Sequence, residues 1–179
     1  MILMVMRWNL LKGEFVMKKN FTNWIVSLAL LAGLNGLAVA GGEEKSPIYT
    51  KVVEDSSFED ILDAVKETIT GKGINIAHTL PSSGMLGNTG PAFGITEPLL
   101  KNGEMVEFCS AKVSHQLIQA NLQNIVLCPF NIAVYELNAE PGNIYITFRR
   151  PYVIDEASIE ATKAMVGLMT EIVEEAADW

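Results

Sequence analysis

Histidine and cysteine are scarce in this sequence, with two of each in 179 residues. The spacings that build a structural zinc site, Cys-x2-Cys or His-x3-His, do not occur, so no such site is expected. Cys-x-x-Cys-His is missing too, which excludes covalently attached haem. A non-covalent haem stays open, with His78 or His115 as a ligand and Met85 as a methionine candidate in a loop. The other methionines read more simply as core filler. Positive charge is also thin, 13 Lys and Arg against 21 Asp and Glu. An acidic chain with no basic block repels polyphosphates and anionic headgroups, so neither nucleic acid nor a charged membrane surface is an expected partner. No Ser-His-Asp set and no paired-carboxylate site stands out, which disfavours an ordinary hydrolase.

Long apolar runs are lacking as well. The longest, Trp24 to Leu37, is about 14 residues and is interrupted by Gly33, Asn35 and Gly36, whereas a membrane-spanning helix needs roughly 20. Two lysines (Lys18 and Lys19) precede it and Ala38-Val39-Ala40 follows. A positive start, an apolar middle and a small-x-small end read as a secretory signal peptide over 17–40, cleaved near Ala40. Residues 1–16 are then an over-extended start, and the mature chain is 41–179. No cysteine follows the cleavage site, so no lipid anchor is expected and no stable membrane attachment remains. The mature chain keeps nine basic and twenty acidic residues, a net charge of −11. Its expected location is the periplasm, an oxidising compartment in which cysteines can pair. Cys109 and Cys128 both survive processing, as one bridge or as two free thiols.

What is present is a single α+β domain. "IYTKVVE" has the content of a strand. "SSFEDILDAVKETITGKG" is a helix with Ser56 or Ser57 as cap, Phe58, Ile61, Leu62, Val65 and Ile69 at helical spacing, and glycines as the stop. "INIAHTL" and "EMVEFC" read as strands separated by a long Gly- and Pro-rich loop from Pro81 to Gly103, which lacks the lysine of a phosphate-binding loop. "SAKVSHQLIQANLQ" is a helix capped by Ser110. "FNIAVYEL" and "NIYITFRR" flank a turn, "NAEPGN". An acidic helix closes the chain, with Ile159, Val166, Met169 and Ile172 or Val173 facing inward. The expected fold is α+β with a mixed, largely antiparallel sheet and helices on one face. An apolar opposite face would favour a homodimer.

Chemistry-bearing residues cluster in "EFCSAKVSHQ". Cys109 sits where a strand meets a helix start, beside Lys112. A helix N-terminus and an ammonium both favour thiolate, so Cys109 reads as a nucleophile, a metal ligand or a persulfide carrier. The competing reading is a small buried hydrophobe at a strand end. A Cys109–Cys128 bridge would close a loop of about 20 residues and stabilise by about 3 kcal/mol. It is excluded if the flanking strands are parallel neighbours, because the two cysteines would then lie a strand length apart. His115 falls opposite Val113, Leu117 and Ala120 on the helix, so it faces solvent or a partner subunit. Arg149 and Arg150 end a strand, where they either grip an anion or pair with Glu156 or Glu160.

Three motifs, "FCSAKVSHQLIQAN", "LCPFNIAVYEL" and "NIYITFRRP", make residues 74–152 similar to the bacterial family called domain of unknown function 302. Cys109, Pro129 and the run Val134-Tyr135-Glu136 occupy matching positions. Many relatives place a cysteine directly after the proline, where this chain has Phe130, its second cysteine lying before the proline at Cys128. The resemblance implies a small α+β fold that tends to dimerise, and no particular reaction. The leading expectation is an exported, auxiliary protein binding a small molecule or a sulfur species, with Cys109, Lys112, His115, Cys128, Tyr135 and Arg149 as candidates. The alternatives are a haem- or metal-binding redox protein using His115 or His78, and a structural homodimer whose cysteines do no chemistry.

Overall fold

Alternation and helical spacing resolve into five strands and four helices: β1 (Ile48–Val53), α1 (Phe58–Gly71), β2 (Ile76–Leu80), α2 (Ser82–Thr89), β3 (Leu100–Phe108), α3 (Ala111–Ala120), β4 (Phe130–Leu137), β5 (Ile144–Arg149) and α4 (Ile159–Ala177). Short 3-10 turns lie at Gly90–Phe93, Leu122–Leu127 and Glu156–Ser158. This computed structural model describes residues 46–179. The leader at 17–40 and the stretch 1–16 lie outside the described residues. Among those described, no helix is long and apolar enough to cross a membrane.

The strands form one sheet in the order β1-β5-β4-β3-β2, and every neighbouring pair is antiparallel. The fold is therefore α+β as expected, and the sheet is antiparallel throughout rather than mixed. The reason lies in the connection between β3 and β4. Helix α3 carries the chain away and the Leu122–Leu127 turn brings it back, so β4 begins beside the end of β3, with Phe108 opposite Phe130.

One face of the sheet makes the core. Phe130, Ile132 and Val134 of β4 and Ile144, Ile146 and Phe148 of β5 are buried at every second position, the period a half-buried strand requires. Against them pack Ile61, Leu62, Val65 and Ile69 of α1 and Met165, Met169, Ile172 and Val173 of α4. Each fully buried side chain of this size contributes about 1.5–3 kcal/mol. Ser57 caps α1, its Oγ accepting from the Asp60 amide at 3.1 Å. Ile172 and Val173 are both buried, while Ile159 and Val166, expected to face inward, are only half-buried, because the buried stripe runs through Ala161, Met165 and Met169.

The Pro81–Gly103 segment is a correction. It is not one long loop: it holds α2, the Gly90–Phe93 turn and the start of β3. Helix α2 buries none of its residues and packs beside β3, where Ser83 Oγ donates to the Gly103 carbonyl at 3.3 Å. A Cβ at Gly103 would meet the Leu100 side chain at 3.2 Å and Ser83 at 3.6 Å, so glycine lets α2 approach β3 closely here. Nor does α3 extend through "NLQ". It stops at Ala120, and Asn121 turns the chain by accepting from the Gln123 amide at 2.8 Å. On the second sheet face Tyr135 and Tyr145 stack with ring centroids 4.9 Å apart, and Ile48 and Val52 are exposed.

Candidate functional site

The strands β4 and β5 part company at one end of the sheet. Their ladder runs only from Ala133 opposite Thr147 to Glu136 opposite Ile144. Beyond it each strand stays with its other neighbour: Phe130, Asn131 and Ile132 remain paired to β3, and Phe148 and Arg149 to β1. Both attachments are fastened. The Cys109–Cys128 disulfide, with Cα atoms 6.0 Å apart, ties the start of β4 to the end of β3, and the Cys128–Pro129 peptide is cis. The Arg150 amide donates to the Pro47 carbonyl at 2.8 Å, holding the end of β5 to β1.

A cleft of about 630 Å³ opens at this fork. Pro129, Phe130 and Asn131 line one side, and Arg149, Arg150 and Pro151 the other. Its floor is the core itself, through Phe130, Met165 and Met169, which are all buried. Gln123, Asn124, Val126 and Leu127 of the 3-10 turn, with Tyr152 and Ile154, complete the wall.

That wall is held by a polar clamp. Asn124, only 2 % exposed, donates its amide hydrogens to the Leu117 carbonyl at 3.0 Å and to Ser158 Oγ at 2.9 Å. With both hydrogens committed, the group left to a ligand is the amide oxygen. Asp155 accepts from the Ser158 amide at 2.8 Å and from Asn121 Nδ2 at 2.7 Å. Hydrogen bonding from the Ser158 side chain first and from Asn121 next, with the Ser158 amide adding least, holds its carboxyl below the usual carboxylate range. The turn Leu122–Leu127 and the segment after β5 are thus fixed to one another.

Charge in the cleft departs from that of the chain. Its lining has two arginines and no carboxylate. Arg150 is already engaged: its guanidinium donates to the Ile48 carbonyl at 3.0 Å and to that of Ser46, and lies over the Tyr49 ring at 5.0 Å. Arg149 is exposed and forms no ion pair among the described residues, and neither arginine pairs with Glu156 or Glu160. The cleft can therefore present one uncommitted guanidinium, one amide acceptor and an apolar floor.

A family model for Domain of unknown function DUF302 matches residues 49–176. The chain belongs to this family. The match runs from β1 into α4, wider than the 74–152 stretch that carries the motifs. Among solved structures the chain is similar to the crystal structure of the uncharacterized conserved protein DUF302 from Bacillus stearothermophilus. The identity is 15%, the match covers 73% of this chain and 98% of that one, and the TM-score is 0.59, a likeness of fold. No match is found among curated proteins.

Of the candidate residues in this DUF302 domain, the fork gathers only Arg149. Cys109 is not a free thiolate: its sulfur is bonded to Cys128, because the strands they flank are antiparallel neighbours rather than parallel ones. Leu127 and Pro129, on either side of Cys128, both line the cleft, and Ser114 Oγ approaches Cys128 Sγ at 3.7 Å. Lys112 and His115 are exposed on α3, as the helical spacing predicts. His78 is exposed on β2 opposite Glu107, and Met85 is exposed on α2. Neither histidine nor Met85 lines the cleft, and no group of three or more metal-ligating side chains stands together among the described residues. Tyr135 is on the second sheet face, where burial first, and the charge of Glu140 next, raise its phenol pKa. Asn124, Met165 and Met169 escape a linear reading, since they meet only through folding. Nothing local in "LQNIVL" separates Asn124 from its neighbour Gln123; only the fold buries the one and exposes the other.

Proposed function

We propose that this DUF302 protein is an exported binding protein that holds a small organic anion with an apolar body in the cleft between β4 and β5. The observation that carries this reading is the lining: two arginines and no carboxylate over a floor of Phe130, Met165 and Met169, in a chain this acidic. The exposed Arg149 guanidinium at the mouth of the cleft attracts a carboxylate or similar oxyanion, and the apolar floor selects the rest of the molecule. The signal-like leader at 17–40 supports export to the periplasm. A sulfur-species carrier would need a thiol, and the cleft reading needs none.

The native mass spectrum of protein purified without reductant tests this. The expected result is an added mass that denaturation removes and that added benzoate displaces. A bare mass that also takes up no benzoate would overturn the reading.

A homodimer through the second sheet face is the other reading, supported by the Tyr135–Tyr145 stack and exposed Ile48 and Val52. The same spectrum tests it: twice the polypeptide mass is expected, reduced to the single mass by Y145E.

A further inference from the structure

Beside the cleft lies a second, shallower groove of about 580 Å³, lined by Leu122, Gln123, Ile125, Val126 and Ile154. Three of these residues, Gln123, Val126 and Ile154, also line the cleft, so the two are continuous. The groove is apolar apart from Gln123, yet it faces water. Val126 is 82 % exposed, Leu122 76 % and Ile125 54 %. These three sit on a single 3-10 turn of six residues, and Tyr152, Val153 and Ile154 opposite are exposed too. So dense an apolar strip on an acidic chain marks an interaction surface rather than chance exposure. The turn is not loose: the Asn124 and Asp155 bonds fix it, so the strip is presented on a rigid support.

We infer that the cleft and groove together form one site for a single-chain amphiphile, an anionic headgroup at Arg149 with its hydrocarbon tail lying along Val126, Ile154, Ile125 and Leu122. This rests on the anion reading above and names the ligand class of that same site. The chemistry is graded along the path. The uncommitted Arg149 guanidinium stands at the fork, where an ionised head keeps a hydrogen-bond donor. Past Val126 only Gln123 offers polarity, and no charged side chain lines the groove to oppose a tail. The occupant is a single molecule rather than a bilayer: one local guanidinium holds one headgroup, whereas an extended anionic surface meets the net negative charge of the whole chain.

A calorimetric titration of the purified protein with butanoate, octanoate and dodecanoate, each below its micelle concentration, tests the inference. Each buried methylene is worth about 0.8 kcal/mol, so affinity is expected to rise about fourfold per added methylene until the groove is filled. Dodecanol, with the same tail and no charge, is expected to bind at least tenfold more weakly than dodecanoate. In L122S/I125S the ratio of dodecanoate to butanoate affinity is expected to collapse toward that of octanoate to butanoate. Both side chains are exposed, so folding does not depend on them. Carboxylates that bind with no gain from chain length would overturn the tail site while leaving the anion reading standing. Dodecanol binding as tightly as dodecanoate, or no carboxylate binding at all, would overturn both.

Discussion

Cys109 and Cys128 are bonded across the ends of β3 and β4 because Phe108 and Phe130, the residues just inside them, are register partners. The bridge closes the segment that contains α3 and the 3-10 turn, and it sets one side of the cleft. Chain, register and site therefore meet at one covalent link.

Removing that link has a predictable cost. Constraining the unfolded chain over a sequence separation of 19 residues is worth about 3 kcal/mol in the chain-entropy account. The double variant C109S/C128S is expected to lose stability of that order in urea, with the far-UV spectrum unchanged. Intact protein is expected to resist alkylation without reductant and to weigh less by the two hydrogens of the joined thiols. Ready alkylation of Cys109 in the untreated protein would contradict the bridge.

Asn124 is the anchor of the cleft wall. Asn124→Leu deletes two buried hydrogen bonds and leaves the Leu117 carbonyl and Ser158 hydroxyl without their donor. A loss of about 1–3 kcal/mol is expected, with faster amide exchange confined to 121–127 and 155–158. Uniform loss of protection across the domain would argue against a local clamp.

Much of this was legible beforehand, and the division has a physical cause. Helix α1, its Ser57 cap, the strand pair around "NAEPGN" and the solvent-facing His115 are written in periodicity and turn chemistry, which are local. Helix α2 was not, because "SSGMLGNT" has poor helix formers and is held by packing beside Gly103. The cleft was not either. The sequence offers Arg149 and Arg150 as strand-end cations that grip an anion or pair with Glu156 or Glu160. The fork, however, exists only because β4 and β5 each hold to a different neighbour, a relation between four segments. Whether Cys109 is a free thiol or is bridged to Cys128 is open in the sequence for the same reason: it depends on strand direction, which composition does not encode.

Acid should weaken the fold in a defined way. Glu136 is buried, and its carboxyl lies below the usual range through Lys101 Nζ at 2.9 Å first and the Gly142 amide at 3.0 Å next, with Asn102 at 2.8 Å adding to them. Glu174 and Asp155 are lowered likewise, Glu174 mainly by Lys51. A carboxylate with a depressed native pKa contributes stability above its unfolded value, roughly 4.3 for Glu, and that stability is lost as pH falls through the native value. Stability is therefore expected to be flat near neutrality and to drop below about pH 4. E136Q is expected to be less stable at pH 7 and to show a shallower acid slope, measured by urea melts across pH 2.5–7 at about half-unit steps. An unchanged slope would remove Glu136 from the account.

The central claim is that Arg149 makes the fork an anion site, and calorimetry with benzoate and its neutral isostere benzamide tests it most directly. Benzoate is expected to bind the wild-type protein and to weaken about ten- to a hundredfold in R149Q, the span of one charge-assisted hydrogen bond, while benzamide binds weakly to both. Equal affinity for benzoate and benzamide, or benzoate binding untouched by R149Q, would contradict the claim.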